Sequence, residues 1–180
     1  MVFRYVLLLR GINVNPTTRV AMADLRDILS GLGFANVGTV LQSGNVILDS
    51  ERAPDVGAIE SAIADGTGVR SRVVVLALEE FRTLVDANPL LDDGAIQERD
   101  DLSKMVITFL DGDIVPAEVD RPTDEDLAPE RLVIETRAIY QWCPFGILQS
   151  RLKPAWWRQF GPVATSRNVR TANRILAAAV

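Results

Sequence analysis

Three short polar segments contain the residue types that could bind a ligand. They are Arg10-Gly11-Ile12-Asn13-Val14, Gln42-Ser43-Gly44-Asn45 and Thr165-Ser166-Arg167-Asn168. A guanidinium group binds phosphate or carboxylate, while amides and hydroxyls both donate and accept hydrogen bonds. The chemistry that these segments predict is recognition of a phosphate, a carboxylate or a nucleobase.

Histidine is absent from the 180 residues, and Cys143 is the single cysteine. Without histidine the chain can form no Ser-His-Asp triad, no Cys-His pair and no histidine-ligated zinc site. One cysteine allows neither an intramolecular disulfide nor a cysteine-based zinc cluster. No Walker loop or dinucleotide fingerprint occurs. The sequence therefore identifies no catalytic residue, and we expect neither a metal nor a cofactor.

The first half of the chain predicts the element order βαββαβ. The apolar run at residues 5–9 is typical of a strand at the centre of a sheet. Right-handed crossovers then give the strand order 4-1-3-2. The fourth strand should be an edge, yet residues 73–78 are uniformly apolar, so we expect the second half of the chain or another subunit to cover it. Strands are predicted at residues 5–9, 37–42, 45–49 and 72–78, and helices at 22–32 and 54–66.

The strand order brings the first two polar segments together. Strands one and three are antiparallel neighbours, so the end of the first lies beside the start of the third. This predicts a polar pocket for a phosphate, carboxylate or nucleobase. The alternative is structural, with side chains that cap turns and an arginine paired with an acid. The candidate binding residues are Arg10, Asn13, Gln42, Ser43 and Asn45.

The second half predicts the same element order less regularly, followed by a terminal helix. Strands are expected at residues 104–110, 132–135, 138–142 and 163–165, and helices at 123–127, 147–152 and 169–179. We therefore predict an α+β fold of two tandem ferredoxin-like (α-β plait) domains with antiparallel sheets and a C-terminal helix. The predicted division is 1–88 for the first domain with a connecting helix, 89–103 for a solvated acidic linker, and 104–180 for the second domain.

The third polar segment is predicted to begin the terminal helix, where free N–H groups favour an anion. Arg167, Arg170 and Arg174 would then share one helical face. The alternative is an ordinary N-cap followed by a solvated arginine face. The candidate binding residues here are Ser166, Arg167, Asn168 and Arg170.

Other candidates have simpler structural explanations. Tyr140 and Trp142 share a strand face and could stack on a base, but the RNA-binding signature is missing and core packing is favoured. Trp156 and Trp157 could serve as one core residue and one lid residue, or they could anchor an interface. Cys143 is expected to be a buried structural thiol.

The net charge of −5 is unevenly distributed. Residues 1–23 contain three arginines and no acid, and residues 136–180 contain seven basic residues and no acid. Residues 24–135 therefore carry −15. The basic ends carry the polar segments, which favours anion binding there, whereas the low isoelectric point argues against non-specific nucleic-acid coating. Pairing of arginines with acids across the surface is the alternative.

The three polar segments, together with Met22-Ala23-Asp24-Leu25, resemble the bacterial family called domain of unknown function 1697. The resemblance runs along nearly the whole chain and implies paired ferredoxin-like domains, but no activity. Two departures occur. The family often has Gly-Gly and a lysine where this chain has residues 15–19, and it usually has tryptophan at the position of Val169. A stacking role for that aromatic cannot be transferred.

These observations favour a binding module for an anionic small molecule, a nucleotide or a short RNA, although nothing specifically supports RNA. A histidine-independent enzyme acting on a phosphorylated or carboxylated small molecule is the first alternative, and a scaffold protein is the second. We favour binding because no general base is identifiable. We expect a cytoplasmic protein without membrane contact, as a monomer or homodimer, because the chain contains no leader and no long apolar span.

Overall fold

The computed structural model describes residues 1–94, 96, 101–161 and 164–180. The fold is α+β, with two four-stranded antiparallel sheets and several helices. The strands are β1 (Phe3–Leu9), β2 (Ala35–Val40), β3 (Asn45–Ser50), β4 (Val73–Ala77), β5 (Met105–Leu110), β6 (Arg131–Ile134), β7 (Ala138–Trp142) and β8 (Ala164–Asn168). The α-helices are α1 (Met22–Gly31), α2 (Val56–Thr67), α3 (Leu78–Asp86), α4 (Asp124–Leu127) and α5 (Val169–Ala178).

The chain divides into two compact units, each containing one sheet. Unit 1 comprises Met1–Arg82 and Ile175–Val180, and unit 2 comprises Thr83–Arg174. The predicted domain division at residues 88 and 104 stays a prediction. Part of its acidic linker, at residues 95 and 97–100, lies outside the described residues.

The sheet of unit 1 has the order β2-β3-β1-β4, which is the predicted 4-1-3-2. The apolar run of β1 explains its central position, because Leu7, Leu8 and Leu9 are all fully buried. Helices α1 and α2 place Leu25, Leu29, Ile59 and Ile63 in one core with Leu7, Leu9, Val46 and Leu48. Asp55 caps the start of α2 and Gly68 ends it in the left-handed region.

Strand β4 forms an edge of this sheet and is buried nonetheless. Val73, on one face, is fully buried, and Val74 and Leu76, on the other, are each 1 % exposed. At the open side of the strand, Glu60 of α2 accepts a hydrogen bond from the main-chain N–H of Val73 at 2.9 Å. The other oxygen of the same carboxylate accepts one from Arg72 at 2.9 Å. The Glu60 side chain thus accepts a hydrogen bond from a main-chain N–H group of β4. In an unprotected edge strand, such a group is available to pair with another strand.

We expect Glu60→Ala to expose this donor without unfolding the sheet. The amide of Val73 should exchange about tenfold faster, since a hydrogen bond to a charged group contributes about 1.5 kcal/mol. Hydrogen exchange followed by NMR measures the effect, with Ser61→Ala on the same helix as the control. Unchanged exchange at Val73 in Glu60→Ala would show that the carboxylate does not protect the edge.

The sheet of unit 2 has the order β6-β7-β5-β8. Its connections differ from the prediction. The helix expected at residues 147–152 is only a 3₁₀ turn at Ile147–Gln149, and a second 3₁₀ helix spans Trp156–Phe160. Pro154 between them prevents a continuous α-helix, because it lacks an N–H. Val163, at which the last strand was predicted to begin, lies outside the described residues.

In unit 2, packing accounts for the buried side chains of Tyr140, Trp142 and Cys143. Tyr140 is 1 % exposed and donates its hydroxyl hydrogen bond to the carbonyl oxygen of Leu84 at 2.8 Å. Burial, with a smaller effect of Glu135, raises the pKa of Tyr140 to about 12. Burial likewise raises the pKa of the Cys143 thiol to about 12, so it is protonated at neutral pH. The structural interpretation of Tyr140, Trp142 and Cys143 is confirmed, since all three are buried.

Candidate functional site

A cleft of about 460 Å³ lies in unit 1 beside the loop that follows β1. The loop contributes residues 13–16 and Arg19, and the β2–β3 hairpin contributes Gln42. No acidic residue is among the described residues that line it. The first two polar segments thus contribute to one cleft, through Asn13 and Gln42.

Asn13 joins the two segments. Its side-chain amide donates to the carbonyl oxygen of Gln42 at 2.7 Å and to that of Val20 at 3.0 Å. Its side-chain oxygen accepts from the N–H of Val20 at 2.9 Å. The residue adopts φ of 56°, a left-handed conformation that asparagine tolerates better than most residues. Asn13 therefore builds the cleft wall, and both of its amide hydrogens are already used.

Asn45 and Ser43 belong to the hairpin rather than to the cleft. Asn45 is fully buried, and its amide donates to the carbonyl oxygen of Val40 at 2.8 Å and to the Ser43 hydroxyl at 3.0 Å. Neither residue is among those that line the cleft. For these two residues the structure supports the turn-building alternative.

Arg10 is exposed but does not line the cleft. Its main-chain N–H donates to the carbonyl oxygen of Arg72 at 2.9 Å, and its carbonyl oxygen accepts from the Ser71 hydroxyl at 3.0 Å. The backbone at Arg10 therefore continues the pairing of β1 with the segment before β4. Its guanidinium group is not placed with Asn13 and Gln42 in the cleft.

Among the described lining residues, Arg19 is the basic one, and it was not among the candidates predicted from the sequence. A capping box positions it, because the Asn15 side-chain oxygen accepts from the N–H groups of Thr17 and Thr18 at 2.9 and 3.1 Å. This turn folds the chain into a short 3₁₀ helix, Pro16–Thr18, immediately before Arg19. The position of Asn15 before Pro16, three residues ahead of Thr18, was the available signal.

Only Asn168 of the third polar segment lies at the start of the terminal helix, so the predicted placement of Thr165, Ser166 and Arg167 there is wrong. Thr165, Ser166 and Arg167 lie in β8, paired with β5, and only Asn168 reaches the helix boundary. The side-chain oxygen of Asn168 accepts from the N–H of Thr171 at 2.8 Å and so caps α5. Strand pairing across β5 thus overrides the capping propensity of Thr165 and Ser166.

Arg167 and Arg170 consequently do not share a helical face. The Arg167 guanidinium donates to the hydroxyl of Thr165 at 2.9 Å and to the carbonyl oxygen of Ser166 at 2.8 Å. Burial lowers the pKa of Arg167 to about 10, which leaves it charged at neutral pH. Arg170 is exposed and forms an ion pair with Asp101 at 3.3 Å.

The Ser166 hydroxyl lies 2.7 Å from that of Thr108 on the neighbouring strand. All four candidate residues of the third segment thus have structural contacts of their own. They belong to unit 2, whereas the cleft belongs to unit 1. The cleft of unit 1 is therefore the better supported candidate site.

Among the described residues, no group of three or more Cys, Asp or Glu side chains could hold a metal ion. Within the same residues, no helix is both long and apolar enough to span a membrane.

The fold and the cleft define an α+β protein with two four-stranded antiparallel sheets and a cleft that has no acid among its described lining residues. The family model described as "Protein of unknown function (DUF1697)" matches residues 2–140, and the chain belongs to this family. The predicted resemblance is confirmed. Comparison with curated proteins returns no match.

A solved structure is similar over the full length of the chain. It is described as "The structure of conserved bacterial protein SP0830 from Streptococcus pneumoniae". The two chains are 25 % identical, the TM-score is 0.76, and the match covers 99 % of each. Neither the family nor this structure carries an assigned activity, so the function is unknown.

Proposed function

We propose that the protein is a binding module, and that the cleft of unit 1 binds an anionic small molecule. The observation that carries this proposal is the position of Arg19 in a cleft with Asn15 and Gln42, with no acidic side chain among the described lining residues. A guanidinium group with neighbouring amides can neutralise and orient an oxyanion. The volume of about 460 Å³ is in the usual range for small-molecule sites.

The charges near the cleft agree with this proposal. Residues 1–23 carry three arginines and no acid, so the loop that forms the cleft is basic in an acidic chain. A basic cleft raises the local concentration of anions. A nucleotide or a short RNA as the ligand stays a prediction.

We expect Arg19→Gln to weaken anion binding strongly. At least one of three anions should raise the melting temperature of the wild type. The three are benzoate, AMP and inorganic phosphate, each tested at 10 mM and matched ionic strength. The same anion should lose about tenfold or more in affinity with Arg19→Gln, since a hydrogen bond to a charged group contributes about 1.5–3 kcal/mol. Thermal shift followed by calorimetric titration measures both effects.

Arg10→Gln is the matched control, because Arg10 belongs to the same acid-free segment but does not line the cleft. It should bind the anion as the wild type does. If Arg10→Gln lost binding and Arg19→Gln kept it, the site would lie elsewhere on the loop. If none of the three anions bound the folded wild type, the proposal would be wrong.

For the fold, we propose that each unit is a ferredoxin-like domain. The strand orders β2-β3-β1-β4 and β6-β7-β5-β8 support it, although 3₁₀ helices form the second crossover of unit 2. We also propose a cytoplasmic location without membrane contact, and a monomer or homodimer. The buried, protonated thiol of Cys143 is compatible with a reducing compartment.

A further inference from the structure

The loop that forms the cleft uses most of its own main-chain donors. Asn13 donates its N–H to the carbonyl oxygen of Thr18 at 2.8 Å. Val14 and Asn15 donate theirs to the Thr18 hydroxyl, each at 3.3 Å. The N–H groups of Thr17, Thr18 and Val20 bind the side-chain oxygens of Asn15 and Asn13.

Phosphate-binding loops generally depend on several main-chain N–H groups that point into one concavity. Of residues 13–20, Pro16 has no N–H, and six others donate theirs within the loop. The loop therefore cannot surround a tetrahedral phosphate with main-chain donors. Recognition in this cleft depends on side chains.

The side chains available to a ligand are few, and their donors and acceptors can be assigned. The Asn15 side-chain oxygen already accepts from Thr17 and Thr18, so its amide nitrogen is the group free to donate. Among the described residues, neither the Arg19 guanidinium nor the Gln42 side-chain amide has a recorded partner. The cleft thus offers one planar cationic fork, one fixed amide donor and one amide that both donates and accepts.

Apart from Asn13, whose side-chain amide is already hydrogen-bonded within the wall, the remaining lining residues are apolar. Val14 is 70 % exposed, and Pro16 lies beside it in the same cleft. Exposed apolar side chains next to a planar cation suit a ligand whose charged group is attached to an apolar body.

We infer that the cleft selects a carboxylate attached to an apolar body, in preference to a phosphate ester; this inference rests on the proposed function. A carboxylate is planar, and its two oxygens match the fork of a guanidinium in a bidentate pair. Arg19 holds the carboxylate, and the amide of Asn15 donates to one of its oxygens. Val14 and Pro16 contact the apolar body of the ligand, and Gln42 binds a polar group at the edge of that body.

The inference is tested with three probes that share one ring: benzoate, phenyl phosphate and benzamide. Calorimetric titration of the full chain at pH 7 and constant ionic strength gives the affinity of each. We expect benzoate to bind at least fivefold more tightly than phenyl phosphate, and benzamide to show no binding. Arg19→Gln should weaken benzoate binding about tenfold or more, while Arg10→Gln leaves it unchanged.

Arg19→Lys separates a bidentate contact from a simple charge effect. Lysine keeps the positive charge but loses the planar fork, so a bidentate site should lose most of its benzoate affinity with this variant. Tighter binding of phenyl phosphate than of benzoate, or full benzoate affinity in Arg19→Lys, would overturn the inference and leave the anion-binding proposal intact. If neither benzoate nor phenyl phosphate bound while AMP or inorganic phosphate did, the inference alone would fail. If none of these anions bound the folded wild type, the proposed function would fail together with the inference.

Discussion

Replacing Gly44 with alanine is expected to lower the free energy of unfolding by about 2–5 kcal/mol. The φ of Gly44 is +76°, and a Cβ there would lie 2.7 Å from the Leu9 Cβ and 2.8 Å from the Ile12 Cδ1. The left-handed conformation costs a non-glycine residue about 1–2 kcal/mol, and overpacking a core adds about 1–3 kcal/mol. Leu9 cannot move away easily, because it is fully buried in β1 and its N–H donates to the carbonyl oxygen of Gly44 at 2.8 Å.

Gly11→Ala provides a matched control for this prediction. The φ of Gly11 is +71°, almost the same, but no atom lies within 4 Å of the position of its Cβ. The Gly11→Ala variant should therefore lose only about 1–2 kcal/mol of unfolding free energy, which is the cost of the left-handed conformation. Urea denaturation followed by circular dichroism measures both changes. Equal losses in the two variants would show that the contact with Leu9 and Ile12 has no energetic consequence.

The second large effect is expected at the ion pair of Arg4 with Asp49. The two side chains form a bidentate pair, with distances of 2.7 Å from Nε to Oδ1 and 3.0 Å from Nη2 to Oδ2. Asn36 donates to Oδ2 of the same carboxylate at 2.8 Å. The Asp49 side chain is 9 % exposed and that of Arg4 35 %, so solvent only partly screens the pair. We expect Asp49→Asn to lower the free energy of unfolding by about 2 kcal/mol at pH 7.

The effect of Asp49→Asn should depend on pH in a defined direction. The hydrogen bonds from Arg4, and then from Asn36, hold the pKa of Asp49 below its usual value in the folded protein. The carboxylate therefore stabilises the fold fully above its unfolded pKa, and this contribution is lost as the pH falls through the folded pKa. The stability difference between the wild type and Asp49→Asn should shrink in acid, as urea denaturation at pH 7, 5 and 3 would show.

Asp113→Asn serves as the control for the pH series. The Asp113 side chain is 76 % exposed and lies 3.7 Å from Arg137, a surface pair of small expected energy. Its substitution should change the stability by less than about 0.5 kcal/mol at every pH. A difference for Asp49→Asn that stays constant from pH 7 to pH 3 would contradict the assigned role of the carboxylate.

The sheet of unit 1 was predictable because its signals are local and agree with one another. The apolar run of β1, the helical spacing of α1 and α2 and the glycine-containing hairpin all favour the same strand order. The segment 147–152 was harder to predict. Apolar residues around Pro154 suit a helix as well as a 3₁₀ turn, and only packing decides between them.

The site was predictable at the level of segments but only in part at the level of residues. Antiparallel pairing of β1 with β3 makes Asn13 and Gln42 neighbours, as expected from topology alone. Whether Arg10 or Arg19 lines the cleft depends on the capping turn at Asn15. The spacing of the residues in the sequence does not determine how that turn folds. The third segment was misplaced because Thr165 and Ser166 suit a helix cap and an edge strand equally well.

The partners of Arg4 have a consequence for the order of events during synthesis. Besides Asp49, Arg4 donates to the carbonyl oxygen of Ala179 at 2.7 Å, across 175 positions of the chain. Unit 1 contains both residues, so it is assembled from two segments that lie on either side of unit 2 in the chain. A ribosome must therefore translate all of unit 2 before the last piece of unit 1 exists. Contacts of such long sequence separation form slowly, which makes unit 2 the unit that can be completed first on the ribosome.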